Sequence, residues 1–370
     1  MKKKIVELIG RIQDGGAETL VKDYALLLDK DIFDVTILCL DYKPESYVYK
    51  TLIENNVNIV VAYSKPFFFD KVLARLFGPK YVAKRLQRKL DELKPDVVHV
   101  HLELLEILSL MKSSLKGIKL FFTCHNPPEL LIGNKRPKER DACRYLLDNF
   151  GLRIIALHKE MADEINKMFN IDNTVVINNG VNFSKFNNIE QTKEDIRKSF
   201  DLPVDSYVIG QVGRFAYQKN QEFSIDVFKE VLKINPNSYL LLIGRGNNEK
   251  MLKDKINELG LNDKVKLLTH RDDIPQLLKA MDVFIFPSRF EGLGIVLIEA
   301  QVSGLPCVVS ENIPHEAFQS NKITRLNLDD DKTLWAKTLL DPVCNVDDYG
   351  DINNYDMNVV IKKLEDLYLS

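Results

Sequence analysis

The chain has 370 residues, with 45% hydrophobic and 28% charged residues and a formal net charge of -2. This balance describes a soluble globular protein of about two domains and gives no reason to expect nucleic acid as a partner. The five cysteines are scattered, odd in number and without a Cys-x-x-Cys pair, which argues against a disulfide framework and a zinc knuckle and fits a reducing cytoplasm.

In chain order, the opening MKKKIVELIG carries lysines before an apolar run, but the run is short, is broken by Glu7 and has no cleavage site after it. It reads as a first strand, not a signal peptide. Further strands are predicted at 34–40, 57–62, 96–101, 119–124, 153–157 and 174–178. The pattern resumes at 207–213, 239–244, 264–268, 282–287 and 306–310. Helix-length patterns such as ETLVKDYALLLDK, IDVFKEVLKI and EKMLKDKINEL lie between them. Continuous Val/Ile/Leu strands alternating with helices predict parallel sheets covered on both faces. The alternation runs twice across a polar, turn-rich seam at 178–195, so the expected fold is α/β with two doubly wound Rossmann-like domains. No apolar run approaches the ~18 residues of a membrane span. The closing segment YDMNVVIKKLEDLY reads as a lone amphipathic helix that could pack on either domain.

Ligands of doubly wound sheets bind beyond the carboxyl ends of the strands, and tandem domains of this kind predict a cleft between them. The loops after strands are therefore the informative positions. Gly15 and Gly16 follow the first strand and open a helix; they fit either a tight βα turn or close approach of an anionic ligand. His99 and His101 alternate on one face of their strand, with no third His, Cys or Asp at ligand spacing. His99 reads as structural, and His101, last in its strand, lies near the cleft. His125 precedes Asn126-Pro127-Pro128 and so ends a strand or sits in a loop. Arg214 and Lys219 share one loop, suited to a diphosphate. Gly244 and Gly246 form another tight turn.

The stretch FEGLGIVLIEAQVSG places Glu291 in a loop and Glu299 inside the following helix, which Gly304 ends. An unpaired Glu299 on a helix packed between strands would be costly, so it requires either a neighbouring cation or a hydroxyl-rich ligand. Gly292 and Gly294 expose amides at the helix N-terminus.

At these residues a family becomes visible. GGAE (15–18), INNGV (177–181), VGRFAYQKN (212–220), LLIGRG (241–246) and DVFIFPSRFEGLGIVLIEAQVSGLPCVVS (282–310) resemble, in order and spacing, the retaining GT-B glycosyltransferases of group 1. The resemblance implies an acceptor-binding domain over 1–185, a nucleotide-sugar domain over 186–352 and a last helix, 353–370, crossing back to the first domain. It implies that Glu291 faces the donor sugar with the amides of Gly292, Leu293 and Gly294, and that Glu299 accepts from the ribose hydroxyls. Arg214 and Lys219 hold the diphosphate, and Gly16 lets the first loop touch it. Gly244, Arg271 and Ile295 complete the donor set. His125 sits beside the reacting sugar, with His101 and Asn126 on the acceptor side. Arg245 and Asn247 depart from the family pattern, which usually has an acidic residue and a proline there.

The implied reaction is retaining transfer from a nucleotide-diphosphate sugar, expected to be a UDP-sugar. The acceptor is a glycan, expected to be lipid-linked, in capsule or exopolysaccharide biosynthesis. No metal or other cofactor is expected, because Arg214 and Lys219 can neutralise the leaving diphosphate. Asp272-Asp273 and Asp329-Asp330-Asp331 look like caps or solvated turns. The segment 64–90 carries eight Lys/Arg against Asp70 alone, interleaved with aromatic and apolar residues. It fits an anionic membrane surface or a domain helix with a solvated basic face. The expected location is cytoplasmic, peripheral on the inner face of the cell membrane. The competing readings are a sugar-nucleotide epimerase or phosphorylase, which needs acid/base groups or a cofactor lysine not visible here, and a non-catalytic partner subunit of the same fold.

Overall fold

The computed structural model describes residues 2–269 and 271–370. The chain forms two compact units, one of Met1–Gly180 with Asn358–Ser370 and one of Val181–Met357.

The first unit is built on a seven-stranded parallel sheet. Its strands are β1 (Lys3–Ile12), β2 (Phe33–Tyr42), β3 (Asn58–Val61), β4 (Val97–His101), β5 (Lys119–Thr123), β6 (Arg153–Ala156) and β7 (Val175–Val176), in the order β3-β2-β1-β4-β5-β6-β7. The second unit has a six-stranded parallel sheet. Its strands are β8 (Tyr207–Val212), β9 (Ser238–Ile243), β10 (Val265–Leu268), β11 (Val283–Phe286), β12 (Cys307–Ser310) and β13 (Ile323–Leu326), in the order β10-β9-β8-β11-β12-β13. Strand order reverses between β1 and β4 and again between β8 and β11. Such switch points leave a crevice at the carboxyl edge of the sheet. The fold is α/β with two Rossmann-like sheets.

Helices cover the sheets because their apolar positions recur at helical spacing. In the helix Pro79–Leu93, Val82, Leu86 and Leu90 are buried against Val98, Val100 and Phe122. Burying one such leucine contributes about 1.5–3 kcal/mol. On the other face, Val21 and Ala25 of the helix Gly16–Leu27 meet Ile9, Ile37 and Cys39.

β13 lies outside the predicted strands. It pairs only with β12, at the sheet edge, where a strand can carry Thr324 and Arg325 and needs no continuous apolar run. The segment 64–90 is two helices, Phe68–Phe77 and Pro79–Leu93, because Gly78 at φ 66 and Pro79 interrupt it. The first helix exposes Phe68, Phe69, Val72, Leu76 and Phe77, while the second buries its apolar stripe and exposes Lys80, Lys84 and Arg88. The exposed aromatic residues and the solvated basic face of this segment therefore lie on different helices. The last helix, Met357–Leu369, buries Val360, Leu364 and Tyr368. Among the described residues, no helix is long and apolar enough to cross a membrane.

Candidate active site

In the second sheet, β8 lies between β9 and β11, so the loops leaving these three strands share one edge. The loop after β8 carries Arg214 and Lys219, that after β9 begins at Gly244, and that after β11 carries Glu291. Gly244 adopts φ 155, and a Cβ there would lie 2.0 Å from the Gly213 carbonyl oxygen. Only glycine lets the β8 and β9 loops meet, where Phe215 N–H donates to the Arg245 carbonyl at 2.9 Å.

Lys219 and Glu291 form an ion pair at 2.7 Å, with side chains 15% and 5% exposed. Lys219 Nζ also lies 4.7 Å from the centre of the Phe286 ring. Gln218 donates to the second oxygen of Glu291 at 3.3 Å and to the Phe290 carbonyl at 3.0 Å. Lys219 was expected to face a diphosphate and Glu291 a sugar; here each occupies the other. Arg214 is exposed, and its guanidinium has no hydrogen-bond or ion-pair partner among the described residues.

Glu291 leads into the helix Ile295–Val302, whose N-cap Gly294 takes φ 79. Leu297 N–H donates to the Gly294 carbonyl at 2.8 Å, while helix geometry leaves the amides before it without intrahelical acceptors. A Cβ on Gly292 would meet nothing within 4 Å, and the same holds at Gly16, so there is open space above both backbones. Leu293 is buried and Ile295 half-buried. Glu299 lies in the second turn of this helix, and its carboxylate has no hydrogen-bond or ion-pair partner among the described residues. Burial pushes its carboxyl up to about 7, with Lys185 opposing. Arg271 is held by Asp273 and stacks 5.0 Å from the Phe200 ring, so its charge is already engaged. Asp331 caps the helix Lys332–Leu340 and Asp330 accepts from the Asn327 amide, as solvated turns do.

The first unit holds a buried polar cluster on the β1–β4–β5 strands. Glu7 sits in the middle of β1 and is fully buried. One of its oxygens accepts from the Tyr368 hydroxyl at 2.8 Å, the other from His101 Nε2 at 2.7 Å. His99 Nδ1 lies 2.6 Å from the Tyr368 hydroxyl, and its Nε2 2.7 Å from Thr123 Oγ1. His101 Nδ1 lies 2.9 Å from His125 Nε2. Burial opposes ionisation of Glu7, but the two histidines overcome it and hold the carboxyl well below its usual range. Burial, with His99, pushes His101 down to about 4. Burial also holds His125 well below its ordinary value, with His101 and His99 adding to the effect.

His101 is therefore no direct acceptor contact: it is 0% exposed and both ring nitrogens are occupied. Half-buried His125 is the cluster's outlet, and Asn126 beside it is exposed. Glu7 adds the third ligand-capable group that the sequence reading did not find next to His99 and His101, all within 4.8 Å. The hydrogen bonds above already occupy these atoms. Glu7, Tyr368, Thr123 and Gln218 are the site residues that sequence reasoning missed. The available signal was a carboxylate in the middle of a strand destined for burial.

Similarity to known proteins places the family and the fold. The family described as glycosyl transferases group 1 matches residues 192–328, and glycosyltransferase family 4 matches residues 14–185. The UDP-Gal:alpha-D-GlcNAc-diphosphoundecaprenol alpha-1,3-galactosyltransferase of Escherichia coli is 27% identical over 364 residues, covering 93% of this chain and 90% of its own. The capsular polysaccharide biosynthesis glycosyltransferase CapH of Staphylococcus aureus is 26% identical, with 99% of each chain covered. The crystal structure of Anabaena HepE in complex with UDP and glucose superposes with a TM-score of 0.74 at 21% identity over the whole of both chains, which supports the GT-B fold. The chain belongs to the group 1/family 4 glycosyltransferases.

Proposed function

We propose that the chain is a retaining transferase that moves a sugar from a UDP-sugar to a lipid-linked glycan in surface polysaccharide biosynthesis. The second unit takes the donor and the first takes the acceptor. The observation that carries the donor half is the set of unmatched groups around the β8 and β11 loops. Among the described residues Arg214 is a cation without a counter-ion and Glu299 a carboxylate without a donor, and Gly292 lies under open space. A nucleoside diphosphate sugar supplies each missing partner: phosphate oxygens, ribose hydroxyls and sugar oxygens. The names of these relatives, with UDP-Gal and diphosphoundecaprenol in one and capsular polysaccharide in another, support this donor and acceptor class.

In the reaction, the bond from the anomeric carbon to the β-phosphate oxygen breaks and its electron pair leaves with UDP. The acceptor hydroxyl oxygen forms the new bond on the same face, and its proton passes to the departing phosphate oxygen. Arg214 neutralises the charge that develops there. Lys219 contributes by exchanging its Glu291 contact for the diphosphate, which frees Glu291 for the sugar hydroxyls. No metal takes part in this scheme.

The helix Phe68–Phe77 supports a membrane-borne acceptor. Phe68, Phe69, Leu76 and Phe77 are 64% to 70% exposed, with Lys65, Lys71, Arg75, Lys80 and Lys84 exposed around them. An apolar stripe rimmed by cations suits an anionic bilayer surface. The donor half is tested by a nucleotide-sugar panel read by thermal shift. UDP and one UDP-sugar should raise Tm, and failure of every nucleoside diphosphate and sugar nucleotide to do so would refute the reading. An epimerase would interconvert the sugar nucleotide without acceptor, and a partner subunit would release no UDP.

A further inference from the structure

The buried cluster of the first unit has a consequence for His125, resting on the transferase reading above. All its hydrogen-bond distances lie between 2.6 and 2.9 Å, apart from the 3.3 Å approach of His99 to Glu7. Each short contact needs one proton, so the protons can be assigned.

Glu7 is ionised and accepts at both oxygens. The Tyr368 proton must point at Glu7, because two acceptors at 2.8 Å would repel. Tyr368 then accepts from His99 Nδ1–H, and His99 Nε2 pairs with the Thr123 hydroxyl. On the other oxygen, His101 must donate from Nε2. A neutral His101 then has a bare Nδ1, which can only accept from His125 Nε2–H. Neutral His125 is left with its lone pair on Nδ1. His125 follows β5 at the carboxyl edge of the sheet, beside the β4 end of the β1/β4 switch point, where ligands of this fold bind.

We propose that Glu7 and Tyr368 are positioning residues that set the tautomer of His125 through His101, so that Nδ1 is offered as a hydrogen-bond acceptor to a hydroxyl of the reacting sugars. Tyr368 comes from the final helix, nearly the whole chain away from Glu7. The last helix thereby completes the acceptor-side chemistry besides packing on the sheet. The arrangement follows the logic of a carboxylate orienting an imidazole that acts on substrate, with one more imidazole in the relay.

The test uses the full-length protein with the UDP-sugar found by the nucleotide panel. Glu7→Gln is nearly isosteric, but its amide can donate to His101 Nε2. That shifts the His101 proton to Nδ1 and turns His125 over to the Nδ1–H tautomer. The expected result is a fall in kcat on the order of 100-fold, with the KM for UDP-sugar within about 2-fold, since the charged donor groups lie in the other unit. Tyr368→Phe keeps Glu7 ionised and bonded to His101, so a smaller fall, about 10-fold, is expected. A structural role alone would lower Tm and leave kcat of the folded enzyme unchanged; that result overturns the proposal. Nitrogen-15 spectra of wild-type His125 provide a test independent of any variant: an unprotonated Nδ1 supports the proposal and a protonated Nδ1 refutes it. If the wild type itself transfers no sugar, the transferase reading fails first, while the His125 tautomer remains a separate answer.

Discussion

Lys219 Nζ and Glu291 Oε1 are 2.7 Å apart in a nearly buried pair at the carboxyl edge of the second sheet. The pair joins the β8 loop to the β11 loop, and in the proposed reaction the donor separates the two groups. Removing one partner leaves the other charge poorly solvated. Lys219→Ala is therefore expected to destabilise the second unit by about 3 kcal/mol. The double variant Lys219→Ala/Glu291→Gln should recover part of that loss. Chemical denaturation of the four proteins of this cycle measures the coupling, and equal stability of wild type and Lys219→Ala would contradict it.

Arg214 is expected to behave oppositely. It is exposed and without a partner among the described residues, so Arg214→Ala should leave stability within about 0.5 kcal/mol. UDP affinity should fall on the order of 10-fold through loss of a charge-assisted contact, while uridine, which lacks phosphates, binds as before. Calorimetric titration of both ligands separates the two effects. Since the proposed reaction draws its neutralising charge from arginine, a chelator should leave the transfer rate unchanged.

With Glu299 on the ribose, as proposed, UDP binding should depend on pH. Burial raises its carboxyl to about 7, whereas ribose hydroxyls donate best to the ionised form. UDP affinity should therefore rise from pH 6 to pH 8, with a proton released on binding, and Glu299→Gln should flatten the curve. For stability the sign is reversed. A carboxyl raised above its unfolded value favours the fold below that value, and the contribution disappears as pH rises through about 7. Ligand-free Tm should thus decline over the same interval in which affinity improves.

The exposed stripe of the helix Phe68–Phe77 predicts binding to anionic vesicles at low salt. Replacing Phe68, Phe69 and Leu76 by serine should abolish pelleting with no loss of Tm, because these side chains are exposed. Neutral vesicles or high salt should weaken the wild type through screening of the surrounding lysines and arginines. Pelleting unchanged in the serine variant would place the contact elsewhere.

The strands most plainly legible in the sequence are those buried on both faces, such as β9 and β11, because burial there demands continuous apolar residues. β13 was not legible, since an edge strand can afford Arg325. The loops carrying Arg214, Lys219 and Glu291, and the helix carrying Glu299, were legible because each follows a recognisable strand. Their pairing was not: nothing in the spacing of Lys219 and Glu291 says that β8 and β11 are neighbours, which sheet order alone decides. Glu7 was visible only as an interruption of an apolar run. Its partners come from β4 and the final helix, and long-range packing of that kind leaves no local pattern.

The most direct test of the account is product analysis with a UDP-sugar and a polyprenyl-diphosphate-linked sugar acceptor. The account predicts UDP release stoichiometric with a glycolipid longer by one sugar, bonded with the anomeric configuration of the donor. UDP released with free sugar and an unchanged acceptor, or an inverted linkage, would contradict it.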